Sequence, residues 1–489
     1  MNGGKEMQGQ DIRVRIAPSP TGNLHVGTAR TALFNWLFAR HNGGKFVLRI
    51  EDTDLERSEE QYVQNIFDSL KAIGLNWDEG PDIGGPYPPY KQSEKLDVYE
   101  KYAKQLVESG HAYYCYCTQE ELEAEKQLAM QEKRDFVYSG RCKTLTPEQI
   151  KQFEAEGRKP VIRFSMPSRI QVINDILKGK IEIDTSHIGD FVIMKSNGTP
   201  TYNFAVVVDD MDMKITHVIR GEDHISNTPR QIAIYEAFGA EVPQFGHLGM
   251  ILAPDRSKLS KRHGATAVSE FISQGYLPEA FVNFLAYLGW SSPDGEEIKP
   301  LDEIVKLFSL DRVSLTGAIF EFDKLNWMNG TYIRNLPIED ITERAKAYLK
   351  EYDLSCYTDA QLCTIVEAVR NNLTRLDEIK DAVSYFFGEG VEISDEVRDK
   401  VLKTEETRKT LPAFLEFAEK LDFNNVEKLH EQLGEFREQM KPIKPKQSMW
   451  AVRAALTGRT GGADLAVVLS LLGKDRVIGR TKAAMALCE

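Results

Sequence analysis

Apolar positions between residues 12 and 95 alternate between a strand period and a helix period. Residues 13–17 read Arg-Val-Arg-Ile-Ala, a short buried strand with Val14 and Ile16 on one face. Pro18 and Pro20 end it, because neither has an N–H to give to a ladder. After the turn at Thr21, Gly22 and Asn23, a helix is predicted from about Gly27. Ala29, Ala32, Leu33, Trp36 and Leu37 recur at helical spacing, and Phe34 and Phe38 widen that stripe. Residues 45–50 predict a strand ending at Glu51. Residues 58–73 predict a helix through Tyr62, Ile66, Leu70 and Ile73, closed by Gly74. A loop follows at 84–89. Strand, helix, strand, helix is the pattern of a parallel α/β sheet.

The texture changes over 96–195. A helix at 97–109, ended by Gly110, leads to Tyr-Tyr-Cys-Tyr-Cys at 113–117 and a charged helix at 119–134, with shorter strands at 161–166 and 181–184. This reads as an α+β insertion that splits the first domain. Residues 199–252 return to α/β texture, with strands expected at 202–208 and 216–220 and a helix at 228–238 capped by Gly239. Residues 253–335 form a mixed segment. From about 336 onward only helical patterns occur: 338–351, 359–372, 375–387, 394–403, 405–421, 425–440, 447–457, 463–473 and 475–487. The expected domains are 1–95 with 196–252, then 96–195, 253–335 and an all-α 336–489, the last in two subdomains.

Composition places few limits on this picture. At 489 residues, 42% hydrophobic and 28% charged, the chain has enough material for about three cores. No apolar run approaches the roughly 18 residues of a membrane helix, and residues 1–12 are polar with no apolar signal core, so a cytoplasmic address is expected. The six cysteines, at 115, 117, 142, 356, 363 and 488, are too scattered for a disulfide scaffold and suit a reducing compartment. Cys356, Cys363 and Cys488 read as core. The net charge of −13 argues against a broadly basic surface, yet the last 49 residues hold nine Lys/Arg against three acids. RNA contact depends on such local patches and not on the sum.

Two stretches carry candidate chemistry. A strand, a Pro/Gly loop and a helix N-terminus make an anion site, since the first N–H groups of the helix are unpaired. His25 lies just before that terminus, and Gly27 lets a phosphate or base approach the backbone. No Gly-x-x-x-x-Gly-Lys-Ser/Thr and no Gly-x-Gly-x-x-Gly occurs. Far downstream, Lys258-Leu259-Ser260-Lys261-Arg262 follows the breaker Pro254-Asp255. Mobile lysines there can stabilise the charge that develops on a leaving pyrophosphate.

Together the two stretches resemble the His-Ile-Gly-His and Lys-Met-Ser-Lys-Ser signatures of class I aminoacyl-tRNA synthetases. Arg-Ile-Ala-Pro-Ser-Pro-Thr-Gly (15–22), Arg-Ile-Glu-Asp-Thr-Asp (49–54) and Trp-Met-Asn-Gly (327–330) resemble the bacterial glutamyl-tRNA synthetase family. The resemblance implies an α/β nucleotide-binding, Rossmann-like catalytic domain carrying an inserted α+β domain that touches the tRNA acceptor end, followed by an all-α anticodon-binding region. It implies ATP and L-glutamate as substrates, tRNA(Glu) as partner, magnesium with the ATP, and a monomer. It also implies that activation depends on tRNA. A form that also charges tRNA(Gln) and a non-catalytic tRNA-binding paralogue are the alternatives. The paralogue that glutamylates a modified base lacks the helical C-terminal domain, and a glutaminyl-tRNA synthetase carries a β-barrel where helices are read here.

The implied reaction is attack of the glutamate α-carboxylate on the α-phosphorus of ATP, then transfer to a ribose hydroxyl of the tRNA. Both nucleophiles come from substrates, so positioning and charge stabilisation must do most of the chemistry. For ATP the resemblance assigns His25, Gly27, Thr28, Asp223, Lys258, Leu259 and Lys261, with His25, Lys258 and Lys261 catalytic and Lys261 the second lysine of the motif. Thr28 and Leu259 stand where the class has His and Met. For glutamate, a guanidinium gives a planar match to the γ-carboxylate. Arg15 is the first candidate and Arg220 the second, both at strand ends. Glu51 suits the ammonium, Ser19 and Tyr202 offer hydroxyls, and the family pattern adds Ala17. Asp209, Asp210, Glu222 and Asp223 lie near the same edge, Asp223 being the candidate for ATP ribose or metal. Cys115, Cys117 and Cys142, with Tyr138 as an oxygen donor, resemble the family's zinc site, although Thr144 stands where a His often occurs. Bound zinc and three ordinary buried cysteines both stay open for that cluster.

Overall fold

The computed structural model describes residues 12–54, 57–355 and 357–488; the polar start of the chain and Cys356 lie outside the described residues. Strand β1 (Arg13–Ile16) is followed by α1 (Val26–His41), β2 (Lys45–Leu48), α2 (Glu60–Ala72) and α3 (Leu96–Glu108). β1 and β2 pair in parallel, with Val14 opposite Phe46 and Ile16 opposite Leu48. Helix α1 buries Ala29, Ala32, Leu33, Phe34 and Leu37, so the expected stripe is covered, while Trp36 stays half-buried.

Residues 112–194 hold β3 (Ala112–Cys115), α4 (Gln119–Gln131), α5 (Pro147–Ala155), β4 (Val161–Phe164), β5 (Ile170–Asp175), β6 (Gly179–Asp184) and β7 (Phe191–Met194). β3, β4 and β7 form one antiparallel sheet, and β5 and β6 form a separate hairpin. Thr118 and Thr146 start α4 and α5 with reciprocal capping boxes to Glu121 and Gln149.

The chain then makes α6 (Tyr202–Asp212), β8 (His217–Gly221), α7 (Thr228–Ala237), β9 (Gln244–Leu248) and β10 (Ile251–Leu252), which pairs with β11 (Ala318–Ile319). β8 and β9 are parallel. β8 abuts the free side of β1, where the Thr216 N–H donates to Arg13 O at 3.0 Å. The spatial order is thus β2, β1, β8, β9, reversing direction of growth between β1 and β8. Open α/β sheets bind ligands at such a reversal.

The strand expected at 202–208 is overturned. Residues 202–208, read as a strand, are the start of helix α6. Phe204, Ala205, Val206, Val207 and Val208 are all buried, so the segment is apolar on every side and shows no period that separates a buried strand from a buried helix. Strands β3, β5, β7, β9, β10 and β11 stand where the sequence reading places no strand.

The chain divides into two compact units, one of the described residues in Met1–Phe271 and Phe281–Glu321, the other of Ile272–Ala280 and those in Phe322–Glu489. Residues 253–335 are thereby shared between both. The second unit has no strand among its described residues. Its main helices are Phe322–Asn335, Ile338–Ala345, Asp359–Arg370, Glu405–Ala418, Val426–Gln439, Pro445–Thr457 and Leu465–Met485, around a core that includes Ile341, Ile365, Phe414, Phe436, Val452 and Leu469. The stretches read as helices 375–387 and 394–403 are broken into short α, 3-10 and π turns. Cys488 is buried in a second core cluster with Leu402 and Leu411, whereas Cys363 is half-buried. No helix among the described residues is long and apolar enough to cross a membrane.

Candidate active site

The ends of β1 and β8 open into a cavity of about 680 Å³. It is lined by Arg15 to Ser19, His25, Gly27, Thr28, Glu51, Tyr202, Arg220, Asp223, Lys258 and Leu259, among others. All six glutamate candidates therefore share one cavity with six of the seven ATP candidates. Lys261 is the exception: it is exposed at the start of a 3-10 turn, Lys261–His263, and does not line the cavity.

The two signature loops meet through their backbones. Val26 N–H donates to Thr266 O at 2.9 Å, Val268 N–H to Leu24 O at 3.0 Å, and His25 bridges Ala267. The segment just after the lysine loop is thereby laced to the histidine loop. His25 caps α1, its Nδ1 accepting the Gly27 N–H at 3.0 Å. Burial, with a smaller contribution from Lys258, holds the imidazole below its ordinary pKa. A neutral ring with Nδ1 as acceptor carries its proton on Nε2, which is then a donor. Lys258 Nζ stands 3.9 Å from Asp223, and both are well exposed.

On the amino-acid side, charge is unevenly compensated. Arg15 is buried against Asp210, with Nε at 3.2 Å from Oδ1 and Nη2 at 3.3 Å from Oδ2. Arg49, wholly buried, bonds Asp210 at 2.6 Å and Glu51 at 3.2 Å. Burial pushes the Asp210 carboxyl up, but Arg15 and Arg49 outweigh it and hold it below the ordinary range. Burial prevails at Glu51 and pushes its carboxyl up, against Arg49 and Arg15. Asp209 accepts from Gln92, Tyr99 and Lys95 at 2.8–2.9 Å and is fully buried. Asp209 and Asp210 are thus pinned beneath the cavity and do not line it. Glu222 is likewise engaged, accepting the Met250 N–H at 2.9 Å and pairing with Lys178 at 2.7 Å.

Arg220 is different. Its Nε donates to His247 Nε2 at 3.2 Å and its Nη2 to Thr228 Oγ1 at 2.8 Å, while Nη1 is buried with no hydrogen-bond partner. Among the described residues it has no carboxylate partner, and burial holds its pKa below the usual arginine value. An uncompensated buried guanidinium on a cavity wall is a receptor for an anion. Tyr202 borders it, its hydroxyl 3.1 Å from His224 Nδ1. Arg30, which sequence reasoning missed, also lines the cavity. It donates to the backbone carbonyls of Leu288, at 3.2 Å, and Gly249, and burial lowers its pKa to about 10. Its place in the α1 stripe, where a charge contradicts the apolar pattern, was the available signal.

A separate cluster lies among residues 115–142. The Sγ atoms of Cys115, Cys117 and Cys142 all fall within 4.8 Å of one another. The Tyr138 hydroxyl is 3.5 Å from Cys115 and 3.2 Å from Cys117. Arg163 and Arg141 aim Nε at Cys115 and Cys117, at 3.2 and 3.1 Å. The Cys117 and Cys142 thiols, then the Tyr138 hydroxyl and Arg163, hold the Cys115 thiol far below its ordinary pKa. Three converging sulfurs and one phenol oxygen fit a tetrahedral soft metal.

The family of "tRNA synthetases class I (E and Q), catalytic domain" matches residues 11–327, and an "Anticodon binding domain" matches 340–485. The glutamate–tRNA ligase of Desulforamulus reducens is 48% identical over 483 residues, covering 97% of this chain and 99% of that protein. That of Symbiobacterium thermophilum is 48% identical over 481 residues, with 96% and 98% covered. The crystal structure of a glutamate tRNA ligase from Elizabethkingia meningosepticum, in complex with its amino acid, superposes with a TM-score of 0.89 at 35% identity, covering 98% of this chain and all of that one. The chain belongs to the glutamate–tRNA ligases, class I aminoacyl-tRNA synthetases with a catalytic domain followed by an anticodon-binding domain.

Proposed function

We propose that this enzyme activates L-glutamate with ATP and transfers it to the 3′-terminal adenosine of tRNA(Glu), and that the cavity between β1 and β8 is where both steps occur. The observation that carries this reading is the lacing of the histidine loop to the lysine loop on one cavity that also holds the uncompensated Arg220. Glutamate sits with its γ-carboxylate between Arg220 and Arg15, its ammonium at Glu51, and the hydroxyls of Ser19 and Tyr202 and the small Ala17 shaping the pocket. ATP lies over Gly27 and Thr28 with its phosphates toward His25 Nε2–H and Lys258, Leu259 packing beneath and Asp223 at the ribose or the magnesium. Lys261 reaches the pyrophosphate only as charge develops, which agrees with its standing outside the cavity here.

The domains follow the same reading: a Rossmann-like catalytic domain at 1–95 and 196–252, an inserted acceptor-binding domain at 96–195, a connecting domain at 253–335 carrying the lysine loop, and a helical anticodon-binding region at 336–489 in two subdomains. The enzyme works as a cytoplasmic monomer. Cys115, Cys117, Cys142 and Tyr138 would hold zinc, which cross-links the insertion and takes no part in the reaction. Metal analysis should find about one zinc per chain and little in Cys142→Ser; equal content in both would remove the site.

ATP–pyrophosphate exchange with glutamate and tRNA tests the whole. Lys261→Ala should lower its rate by about a hundredfold with little change in the KM for ATP. An unchanged rate removes the role given to the lysine loop.

A further inference from the structure

The turn of the β5–β6 hairpin is built against the end of β9, where Ile176 N–H donates to Phe245 O at 2.8 Å. Asp175 organises that turn. Its Oδ1 accepts the N–H groups of Leu177 at 2.9 Å, Lys178 at 2.8 Å and His247 at 3.3 Å. Its Oδ2 takes the Nδ1–H of His247 at 2.5 Å, and both side chains are completely buried. Burial, more than the opposing Asp175 bond, keeps the His247 ring neutral. With the proton on Nδ1, Nε2 is an acceptor, and it faces the Nε–H of Arg220 at 3.2 Å and the Thr228 hydroxyl at 3.2 Å. Neither Asp175 nor His247 lines the cavity. The series Asp175, His247, Arg220 therefore runs from the inserted hairpin to the cavity wall, and it leaves only Nη1 of the arginine without a protein partner.

We propose that Asp175 and His247 are positioning residues that hold the Arg220 guanidinium for the substrate carboxylate, so that the seating of the inserted hairpin governs the amino-acid pocket. The inference rests on Arg220 as a glutamate ligand. The acid fixes the tautomer, the tautomer fixes which face of the ring can accept, and the acceptor fixes the plane of the guanidinium.

Asp175→Asn isolates this effect. The amide oxygen can keep the backbone N–H groups of the turn, so the hairpin stays closed. The amide nitrogen then faces His247 Nδ1 and donates to it, which drives the ring proton to Nε2 and sets donor against donor at Arg220. In the full-length enzyme with tRNA, Asp175→Asn should raise the KM for glutamate by about tenfold or more, with the KM for ATP within about twofold. His247→Leu should do the same. His247→Gln, whose carbonyl can accept from Arg220, should recover part of the loss. Arg220→Met is the control for the underlying reading: a normal KM for glutamate in that variant removes Arg220 from the pocket. If Arg220→Met is impaired while Asp175→Asn and His247→Leu are normal, the positioning role is overturned. Equal rises in both KM values, or no recovery in His247→Gln, would overturn it too, since a merely structural defect has no preference for glutamate.

Discussion

Charge compensation separates arginines that look alike in sequence. Arg15 and Arg220 each stand one residue before the end of a strand, and Arg49 directly follows one. Arg15, like Arg49, is tied to Asp210, whereas Arg220 is tied to a neutral imidazole and a hydroxyl. Replacing Arg15 strips one of two cations from the buried Asp210, so Arg15→Gln should cost stability as well as glutamate affinity, about 3 kcal/mol for the broken pair. Arg220→Met strands no carboxylate and should lose glutamate binding at nearly normal stability. Melting curves set beside the KM for glutamate would distinguish the two, and an unstable Arg220→Met would show its charge to be structural. A second buried group gives a pH signature. Burial lowers the pKa of His217 to about 4 from an ordinary 6.5, so the folded ring stays neutral where the unfolded one charges. Its stabilisation is full above pH 6.5 and is lost as pH falls through the folded value, about 2 kcal/mol of it between about pH 7 and about pH 5. The urea midpoint of the wild type should fall over that interval, and that of His217→Phe should fall by less. Equal falls would place the acid sensitivity elsewhere.

At the scale of elements, what the sequence made legible was whatever had a period or a punctuation mark. Strand β1, helix α1 and the loop between them follow from Pro18, Pro20 and the apolar spacing, and the meeting of the two signature loops follows from the residues they carry. Helix α6 is misread as a strand because burial on all sides erases periodicity, and β5 is missed because its alternation is inverted, with Gln171 and Asp175 buried while Ile170 and Val172 are exposed. Asp175 and His247 were illegible for another reason: their meaning lies in a contact 72 residues apart in sequence. The helices expected at 463–473 and 475–487 are continuous in Leu465–Met485 except at Gly473, whose φ of 73° and ψ of 169° break the turn. That conformation is open almost only to glycine. A Cβ there would meet nothing within 4 Å, so Gly473→Ala isolates the backbone cost. It should destabilise the second unit by about 1–3 kcal/mol, read as a lowered denaturation midpoint with unchanged glutamate and ATP KM values. A neutral substitution would mean the two helical halves can fuse into one.

Across the whole molecule the charge is −13, yet the partner proposed for it is a polyanion. The conflict resolves in how the cations of the C-terminal helices are satisfied. Arg476 and Arg480 donate to backbone carbonyls, Phe386 O and Tyr385 O at 2.8 Å among them, and Arg453 and Arg459 likewise bond Ala463 O and Asp381 O. None of the four forms an ion pair among the described residues, so their charge is held in place without being cancelled. Elsewhere in the same unit surface lysines pair with acids at helical spacing, as Lys409 does with Glu405 and Lys400 with Glu396. A net-acidic chain can in this way present a local positive field while its remaining surface repels RNA, which favours one docking face over non-specific adsorption. Phosphate contacts made by such a field release counterions, so the KM for tRNA should rise steeply with salt, with a log–log slope near 0.7–0.9 per phosphate neutralised. Glutamate meets its arginines inside a cavity, where screening is weaker, and its KM should change far less over the same range. Measuring both on one preparation, from about 50 to about 200 mM salt, separates the two sites without a mutation. If both constants rise in parallel, the salt is acting on the catalytic cavity, and the arginine-bearing helices contribute no field of their own to tRNA capture.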